Sequence, residues 1–280
     1  MWAVCQMYWR PENEGRSDGR ATFRVEYNNK FLYYQHPPPQ MSQLLFIRHA
    51  QASYGTQNYD QLSPLGLRQA DILGEYLAAH RAPFTRLYVG PLKRHHQTLA
   101  ATLAAYRKRN LPEPEIVERA ELIEHQGPKV MGHVMPTLLK SEPRWRQWME
   151  ESENNFELRR QYHLTLYDEV VRRWAVGTLD DLAPDFQSWA DFREEVARGM
   201  RQIMRDNPKG ANVGIFSSGG TMSAAVGFAA GMNDPAKVID LNGMVFNTAF
   251  SEMLFSGERL SLRTFNETPH LGERGLFTLV

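Results

Sequence analysis

Two apolar runs of this sequence end in side chains that could bind and transfer a phosphoryl group. Arg48 and His49 directly follow the run LLFI, and Ser218 and Gly219 follow the run NVGIF after one further serine. A guanidinium presents a planar fork of N–H donors that matches phosphate oxygens, whereas a neutral imidazole can attack phosphorus and carry the phosphoryl group. An isolated Arg-His pair more often belongs to a surface ion pair beside a packed histidine. The chemistry therefore depends on whether the fold brings these residues together.

Arg94 is a second arginine that could reach the same anion. It follows the run RLYVG, on the first turn of what we predict to be a helix. Two arginines near His49 would lower the pKa of the imidazole, because like charges repel. The histidine would then stay neutral and available as a nucleophile.

Alternating strand and helix signals indicate how these residues are positioned. LLFI, RLYVG and NVGIF are short apolar runs typical of strands buried on both faces. One helix is predicted from Ser63-Pro64 to about His80, because serine caps free N–H groups and proline fits the first turn. A second helix is predicted from about Leu92 to Lys108.

The fold class that follows is α/β. A small-residue helix begins after Gly220, and the segment SEMLFSGERLSLRTF predicts a hairpin that turns near Ser256-Gly257. Strands separated by helices predict a mostly parallel central sheet with helices on both faces, a three-layer α/β/α architecture. Ligands bind such sheets beyond the carboxyl ends of the strands, which is where Arg48, His49 and Ser218 are expected.

Composition and charge narrow the function classes. The chain has 280 residues, and its 32 Lys and Arg balance its 32 Asp and Glu. It therefore lacks the long-range field that steers proteins to nucleic acid or anionic lipid, and an anion must be bound by a local site. The single cysteine cannot form an intramolecular disulfide, no Cys/His spacing indicates a metal, and no stretch approaches the roughly 20 apolar residues of a membrane span. We expect a cytoplasmic globular protein with no nucleic-acid or membrane partner, no metal and no cofactor.

The chain divides by composition into an extension and one domain. Residues 1–40 are polar and end in QHPPPQ, so we interpret them as a disordered extension or the product of too early a start codon, with a folded element as the less favoured alternative. Residues 41–280 form the predicted domain, with a helical insertion at 131–206 that could cap the site. The irregularly spaced tryptophans of the insertion indicate packing, and its charged run at 150–173 indicates a solvated helix face.

Seven short blocks occur along the chain in a distinctive order. They are FIRHAQAS, LSPLGLRQA, YVGPLKRHHQTL, LIEHQG, IFSSGGT, NTAFSEM and FNETPHL, spread over roughly residues 44–271. In this combination the sequence resembles the histidine phosphatase superfamily, the phosphoglycerate mutase-like proteins, with Ala50 in place of the glycine of the family's Arg-His-Gly signature. The resemblance implies a phosphoglycerate mutase-like fold and a metal-independent phosphatase that acts on a small phosphorylated substrate. It leaves the identity of the substrate and the oligomeric state open.

The resemblance also implies roles for individual residues. His49 would be the nucleophile that becomes phosphohistidine, and Arg48 and Arg94 would clamp the phosphate. Glu124, in LIEHQG, would be the general acid that protonates the leaving oxygen, with Glu121 as its competitor three residues earlier. The longer motif that follows the acid in glycolytic mutases is not recognisable here. Phosphoglycerate mutase-type phosphotransfer therefore ranks below phosphomonoester hydrolysis.

Position 218 departs from the pattern of the family. Members usually carry Ser-His-Gly-Gly at this strand end, and Ser218 stands where the histidine would donate to the phosphoryl group. A hydroxyl brings no positive charge, and losing one preorganised donor typically costs about 3 kcal/mol. Three hypotheses follow, in order of preference. The first is a working phosphatase in which Ser218, the Gly219 and Gly220 amides and both arginines bind phosphate. The second is a member with little or no turnover that binds a phosphorylated ligand, and the third is a serine hydrolase.

The serine hydrolase hypothesis is the weakest of the three. A nucleophile elbow reads Gly-x-Ser-x-Gly, and Phe216 stands where a glycine should precede Ser218. On the first hypothesis, Ser218→His would raise turnover. The remaining histidines of these blocks are interpreted as surface or packing residues (His95, His96 and His270) or as a neighbour without a direct role (His125).

Overall fold

The computed structural model describes residues 41–53, 58–179 and 186–279, and the backbone of residues 23–27 and 30–34. The latter two segments are strands β1 (Phe23–Tyr27) and β2 (Lys30–Tyr34), which pair antiparallel as a separate hairpin. The rest of the predicted extension at 1–40 lies outside the described residues. No helix in the described part of the chain is long and apolar enough to span a membrane.

A six-stranded sheet forms the centre of the protein. Its strands are β3 (Ser42–Arg48), β4 (Arg86–Val89), β5 (Glu115–Glu118), β6 (Asn212–Ser217), β7 (Phe250–Ser256) and β8 (Arg259–Glu267), in the order β5-β4-β6-β3-β7-β8. The four strands from β5 to β3 are parallel, and β7 and β8 add an antiparallel edge. The predicted mostly parallel α/β sheet and its closing hairpin are confirmed.

Eight helices surround the sheet in the described part of the chain. They are α1 (Pro64–His80), α2 (Lys93–Lys108), α3 (Gly127–Ser141), α4 (Pro143–Glu151), α5 (Phe156–Ala175), α6 (Trp189–Asp206), α7 (Gly219–Ala230) and α8 (Pro235–Met244). Helix α1 begins as predicted, because Ser63 Oγ accepts a hydrogen bond from Gly66 N at 2.9 Å and a proline occupies the first turn.

The side chains of β3 show why helices cover both faces of the sheet. Leu44 and Phe46 point into one apolar cluster with residues of α6 and α7, whereas Leu45 and Ile47 point into another with residues of α1 and α2. Successive strand residues face opposite sides, so an uninterrupted apolar run must be buried on both. Trp145, Trp174 and Trp189 are buried in the first cluster, as expected for packing residues.

Candidate active site

The candidate active site lies where three parallel strands end side by side. In the register of β3 and β6, Arg48 pairs with Ser217, and His49 N–H donates to the Ser217 carbonyl at 2.8 Å. On the other side of β6, Gly90 N–H donates to the Phe216 carbonyl at 3.0 Å. The expected edge of the sheet therefore gathers the residues that follow β3, β4 and β6.

His49 is buried and held as a neutral imidazole whose unprotonated nitrogen faces Arg94. It is 3% exposed, and its Nδ1 lies 2.7 Å from the Ala50 carbonyl oxygen. Because a carbonyl only accepts, the ring proton belongs on Nδ1, and the Nε2 lone pair accepts a hydrogen bond from Arg94 Nε at 3.1 Å. Burial, followed by the charges of Arg94 and Arg48, holds the pKa of His49 well below its ordinary value. The predicted direction is confirmed, although burial is a larger cause than the arginines.

The backbone of His49 is fixed by a second layer of residues. Its carbonyl accepts hydrogen bonds from Asn247 Nδ2 at 3.2 Å and from Thr248 N at 3.3 Å. Thr248 has a φ of 62°, a left-handed conformation that a β-branched residue adopts only when its surroundings hold it there. One such contact joins Thr248 Oγ1 to His270 Nε2 at 2.9 Å. His270 is thus a packing residue behind the nucleophile.

Arg94 is the arginine that lies directly on His49. It is 6% exposed, its Nη1 forms a 2.9 Å ion pair with Asp60, and its Nη2 lies 3.4 Å from Ser218 Oγ. Asp60 also accepts from the Lys93 backbone N–H at 2.9 Å, so one carboxylate caps α2 and orients the arginine. The motifs gave no indication of Asp60, because it lies in a loop where spacing carries little information.

Arg48 presents its Nε atom to the strand ends, and not the fork of N–H donors expected from the sequence. Its Nη1 donates to the Val245 carbonyl, and its Nη2 donates to the Leu279 carbonyl at 2.7 Å. Its Nε has no hydrogen-bond partner among the described residues and lies 3.3 Å from the position that a Cβ at Gly219 would take. In this conformation Arg48 offers an anion its Nε and not the predicted fork. Burial is also the main reason that the pKa of Arg48 is lowered.

Ser218 is fully buried and lies next to His95, which was expected from the sequence to be a surface or packing residue. His95 Nε2 lies 2.7 Å from Ser218 Oγ, and the ring centroids of His95 and His49 are 5.6 Å apart. Burial lowers the pKa of His95 well below its ordinary value. The helical period of α2 places His95, Leu99 and Tyr106 on one buried face, and that periodicity is the signal that could have located it.

Glu124, and not its competitor Glu121, faces the strand ends. The Glu124 carboxylate lies against Gly220 in the first turn of α7, where an added Cβ would overlap Oε1, and it interacts electrostatically with Arg48. Glu121 instead pairs with Arg119 at 3.2 Å. Of the two carboxylates, only Glu124 is placed to exchange a proton with a group bound at the strand ends.

His125 lies behind Glu124 and restricts its orientation. The His125 Nδ1 accepts from Gly127 N at 3.0 Å, so the neutral ring carries its proton on Nε2, which faces Glu124 Oε1 at 3.6 Å. The ring packs against three aromatic side chains, Trp174, Trp189 and Phe192. His125 is therefore a neighbour of the carboxylate, as the sequence suggested.

Helix α5 brings one side chain of the predicted cap to this region. The pKa of Tyr167 is raised by burial and then by the charge of Glu124, and a Cβ at Gly127 would lie 2.7 Å from its hydroxyl oxygen. The Tyr167 hydroxyl therefore lies near Gly127 and within electrostatic reach of Glu124.

A family model for the histidine phosphatase superfamily, branch 1, matches residues 44–175. The match includes Arg48, His49, Arg94 and Glu124 and ends before Ser218. Residues 44–175 are therefore similar in sequence to the histidine phosphatase superfamily. No curated protein matches the sequence.

Solved structures share the fold of this chain at low sequence identity. Phosphoserine phosphatase from Entamoeba histolytica, in complex with 3-phosphoglyceric acid, has a TM-score of 0.53 at 18% identity, covering 82% of this chain and 99% of that chain. The mycobacterial glucosyl-3-phosphoglycerate phosphatase has a TM-score of 0.53 at 16% identity, covering 81% and 100%. Phosphoglycerate mutase from Bacillus anthracis has a TM-score of 0.56 at 14% identity, covering 83% and 96%. These similarities identify the phosphoglycerate mutase-like architecture and no more.

Proposed function

We propose that this protein hydrolyses phosphomonoesters through a phosphohistidine formed at His49. One observation carries the proposal: the Ala50 carbonyl holds the proton on Nδ1, which leaves the Nε2 lone pair facing Arg94 in a buried site. Attack on phosphorus requires this tautomer, with an unprotonated Nε2 beside a cationic group that can bind the phosphate. The superfamily and its phosphatase neighbours support the same reaction class.

The reaction divides into two in-line displacements. In the first, the His49 Nε2 lone pair forms a bond to phosphorus, the bond from phosphorus to the ester oxygen breaks, and Glu124 gives its proton to the departing alkoxide. In the second, Glu124 takes a proton from water, the water oxygen bonds to phosphorus, and the bond from phosphorus to Nε2 breaks. Inorganic phosphate leaves, and His49 and Glu124 return to their starting states.

Positive charge and backbone N–H groups would hold the phosphoryl oxygens during both steps. Arg94 Nε must transfer its hydrogen bond from His49 to an oxygen of the substrate when the ester binds. The first turn of α7 adds the N–H groups of Gly219 and Gly220, which have no acceptor within the helix, and Arg48 adds Nε beside Gly219. The glycines are required because side chains there would meet Arg48 or Glu124.

The proposal is tested by hydrolysis of p-nitrophenyl phosphate and by trapping of the intermediate. The purified protein should release p-nitrophenol without added metal, and a rapid alkaline quench should retain phosphate on the protein in a base-stable, acid-labile form. His49→Ala should abolish both signals. His96→Ala is the matched control, because His96 is a half-buried residue of α2 that pairs with Glu118 at 2.9 Å. Hydrolysis that survives His49→Ala would refute the mechanism.

A second function, binding of a phosphorylated ligand with little turnover, is favoured by one observation. Both Nη atoms of Arg48 donate to backbone carbonyls, so fewer cationic donors face a transferred phosphoryl group than a two-arginine clamp would provide. On this hypothesis calorimetry would detect inorganic phosphate binding to the wild type, while the quench would trap no phosphate on His49.

A further inference from the structure

His95 is a buried polar side chain at the site to which the proposed reaction gives no role. It is 0% exposed and lies on α2 directly after Arg94. A buried imidazole destabilises the folded state unless it forms hydrogen bonds, and His95 forms one with Ser218 at 2.7 Å. Gly90 makes room for the ring, because a Cβ there would overlap the Leu122 carbonyl and lie 2.5 Å from His95 Nδ1.

Ser218 directs its hydroxyl toward this ring and away from its own helix. It occupies the N-cap position of α7, where a serine usually accepts a hydrogen bond from a backbone N–H, yet its side chain makes no capping bond. Its Oγ instead lies between His95 Nε2 at 2.7 Å and Arg94 Nη2 at 3.4 Å. The hydroxyl is thereby placed on the His49 side of the strand end.

A hydroxyl has one proton, so the direction of the bond between His95 and Ser218 decides what the serine can do. If Oγ–H donates to His95, only oxygen lone pairs face a phosphoryl group. If His95 Nε2–H donates to Oγ, the hydroxyl proton is free to donate to the phosphoryl group. The Gly90 backbone lies close to His95 Nδ1, but Nδ1 has no hydrogen-bond partner of good geometry among the described residues, so a proton there would be poorly satisfied. Once a phosphoryl oxygen is bound, the second arrangement pairs both the hydroxyl proton and the His95 Nε2 proton and leaves only the Nδ1 lone pair without a good partner.

We propose that His95 and Ser218 act as one unit in which His95 Nε2–H donates to Ser218 Oγ and Ser218 Oγ–H donates to an oxygen of the transferred phosphoryl group. The inference rests on the proposed function and specifies how this site stabilises charge without a histidine at position 218. Ser218 touches the reacting group, and His95 is a positioning residue that acts through it. No covalent bond changes within the unit.

The same geometry changes what is expected of Ser218→His. The Oγ of Ser218 is already in contact with the His95 ring, so a second imidazole at 218 would occupy the space of the first. The single substitution should therefore lower turnover, contrary to the expectation from the sequence. Exchange of the two residues, in His95→Ala combined with Ser218→His, removes the overlap and supplies an imidazole from the other side.

Steady-state kinetics with p-nitrophenyl phosphate tests the unit through a double-mutant cycle. Ser218→Ala and His95→Ala should each lower kcat about a hundredfold with a smaller change in KM, since a donor to the transition state is lost. The kcat of the double alanine variant should be no lower than that of either single variant, because each substitution disables the same hydrogen bond. The kcat of His95→Gln, whose amide can donate to Ser218, should exceed that of His95→Ala, and so should the kcat of the exchanged variant. The kcat of His96→Ala should match that of the wild type.

Other results would overturn the inference. Multiplicative losses in the double variant would show that His95 and Ser218 act separately, and equal kcat in His95→Gln and His95→Ala would show that the amide donor is irrelevant. A lower melting temperature in His95→Ala with unchanged kcat would reduce His95 to a packing residue.

Binding of orthovanadate, which mimics the five-coordinate phosphoryl group, separates this inference from the proposed function. If the wild type shows no turnover but both single variants and the double variant weaken vanadate binding equally, the His95–Ser218 unit is supported and the proposed hydrolysis is refuted. If the wild type is active and neither single variant changes vanadate affinity or kcat, the proposed hydrolysis is supported and the His95–Ser218 unit is refuted.

Discussion

Replacing His270 should make the folding stability of the protein fall less steeply at acidic pH. His270 is 8% exposed, it packs against the rings of Phe250 and Tyr76, and its Nε2 lies 2.9 Å from Thr248 Oγ1. Burial lowers its pKa from 6.5 to about 4. His270→Gln removes the titrating group and keeps a side chain that can bond to Thr248.

The magnitude follows from the difference between the folded and unfolded pKa values. Above pH 6.5 the ring is neutral in both states and the pKa difference has no effect on stability. As the pH falls below 6.5 the unfolded chain takes up the proton first, so the folded state loses stability until the pH reaches about 4. At about 1.4 kcal/mol for each pKa unit, His270 alone accounts for a loss of about 2.5 kcal/mol at about pH 4.5.

Urea unfolding at about pH 7.5 and about pH 4.5 measures this loss. The free energy of unfolding of the wild type should decrease between the two conditions by about 2.5 kcal/mol more than that of His270→Gln. Leu73→Ala, a cavity in the same apolar cluster as Phe250, is the control, because it removes no titratable group and should lower both values by a similar amount. Identical pH dependence in wild type and His270→Gln would refute the reasoning.

Three further predictions concern the strand-end site. Asp60→Ala should lower the melting temperature, because it removes the cap of α2, and should weaken binding of inorganic phosphate, because it removes the ion pair that orients Arg94. Asp60→Asn keeps the cap, so it should restore the melting temperature but not the phosphate affinity. Scanning and titration calorimetry measure the two effects. Deletion of residues 279–280 should strengthen competitive inhibition by inorganic phosphate, because Nη2 of Arg48 loses the Leu279 carbonyl; an unchanged inhibition constant would contradict this. The acid limb of kcat/KM that reports His49 should lie well below pH 6.5, because protonation blocks the nucleophile and burial lowers its pKa; a limb at or above that pH would contradict the assignment.

Strands buried on both faces were predictable because their sequences are uninterrupted apolar runs. β3, β4 and β6 follow LLFI, RLYV and NVGIF closely. Strand β5 was missed because its four residues, EIVE, lie at an open edge with largely exposed side chains, so burial imposes no apolar pattern. Helix α8 was missed as well, and it contributes few buried residues.

The site was predictable to the extent that parallel strands bring their ends together. That rule placed His49, Arg94 and Ser218 near one another before any contact was known. The partners of these residues depend on loops and terminal segments, whose conformations local sequence does not determine. The Asp60 ion pair and the carbonyls that receive Arg48 therefore emerged only from the three-dimensional arrangement.

The contact between Arg48 and the Leu279 carbonyl affects how the protein should be produced for experiments. A purification tag fused after residue 280 would follow closely on Leu279, whose carbonyl accepts a hydrogen bond from a guanidinium on which the proposed chemistry depends. Kinetic constants from such a fusion would describe the tag as well as the enzyme. Constants should be compared before and after proteolytic removal of any such sequence.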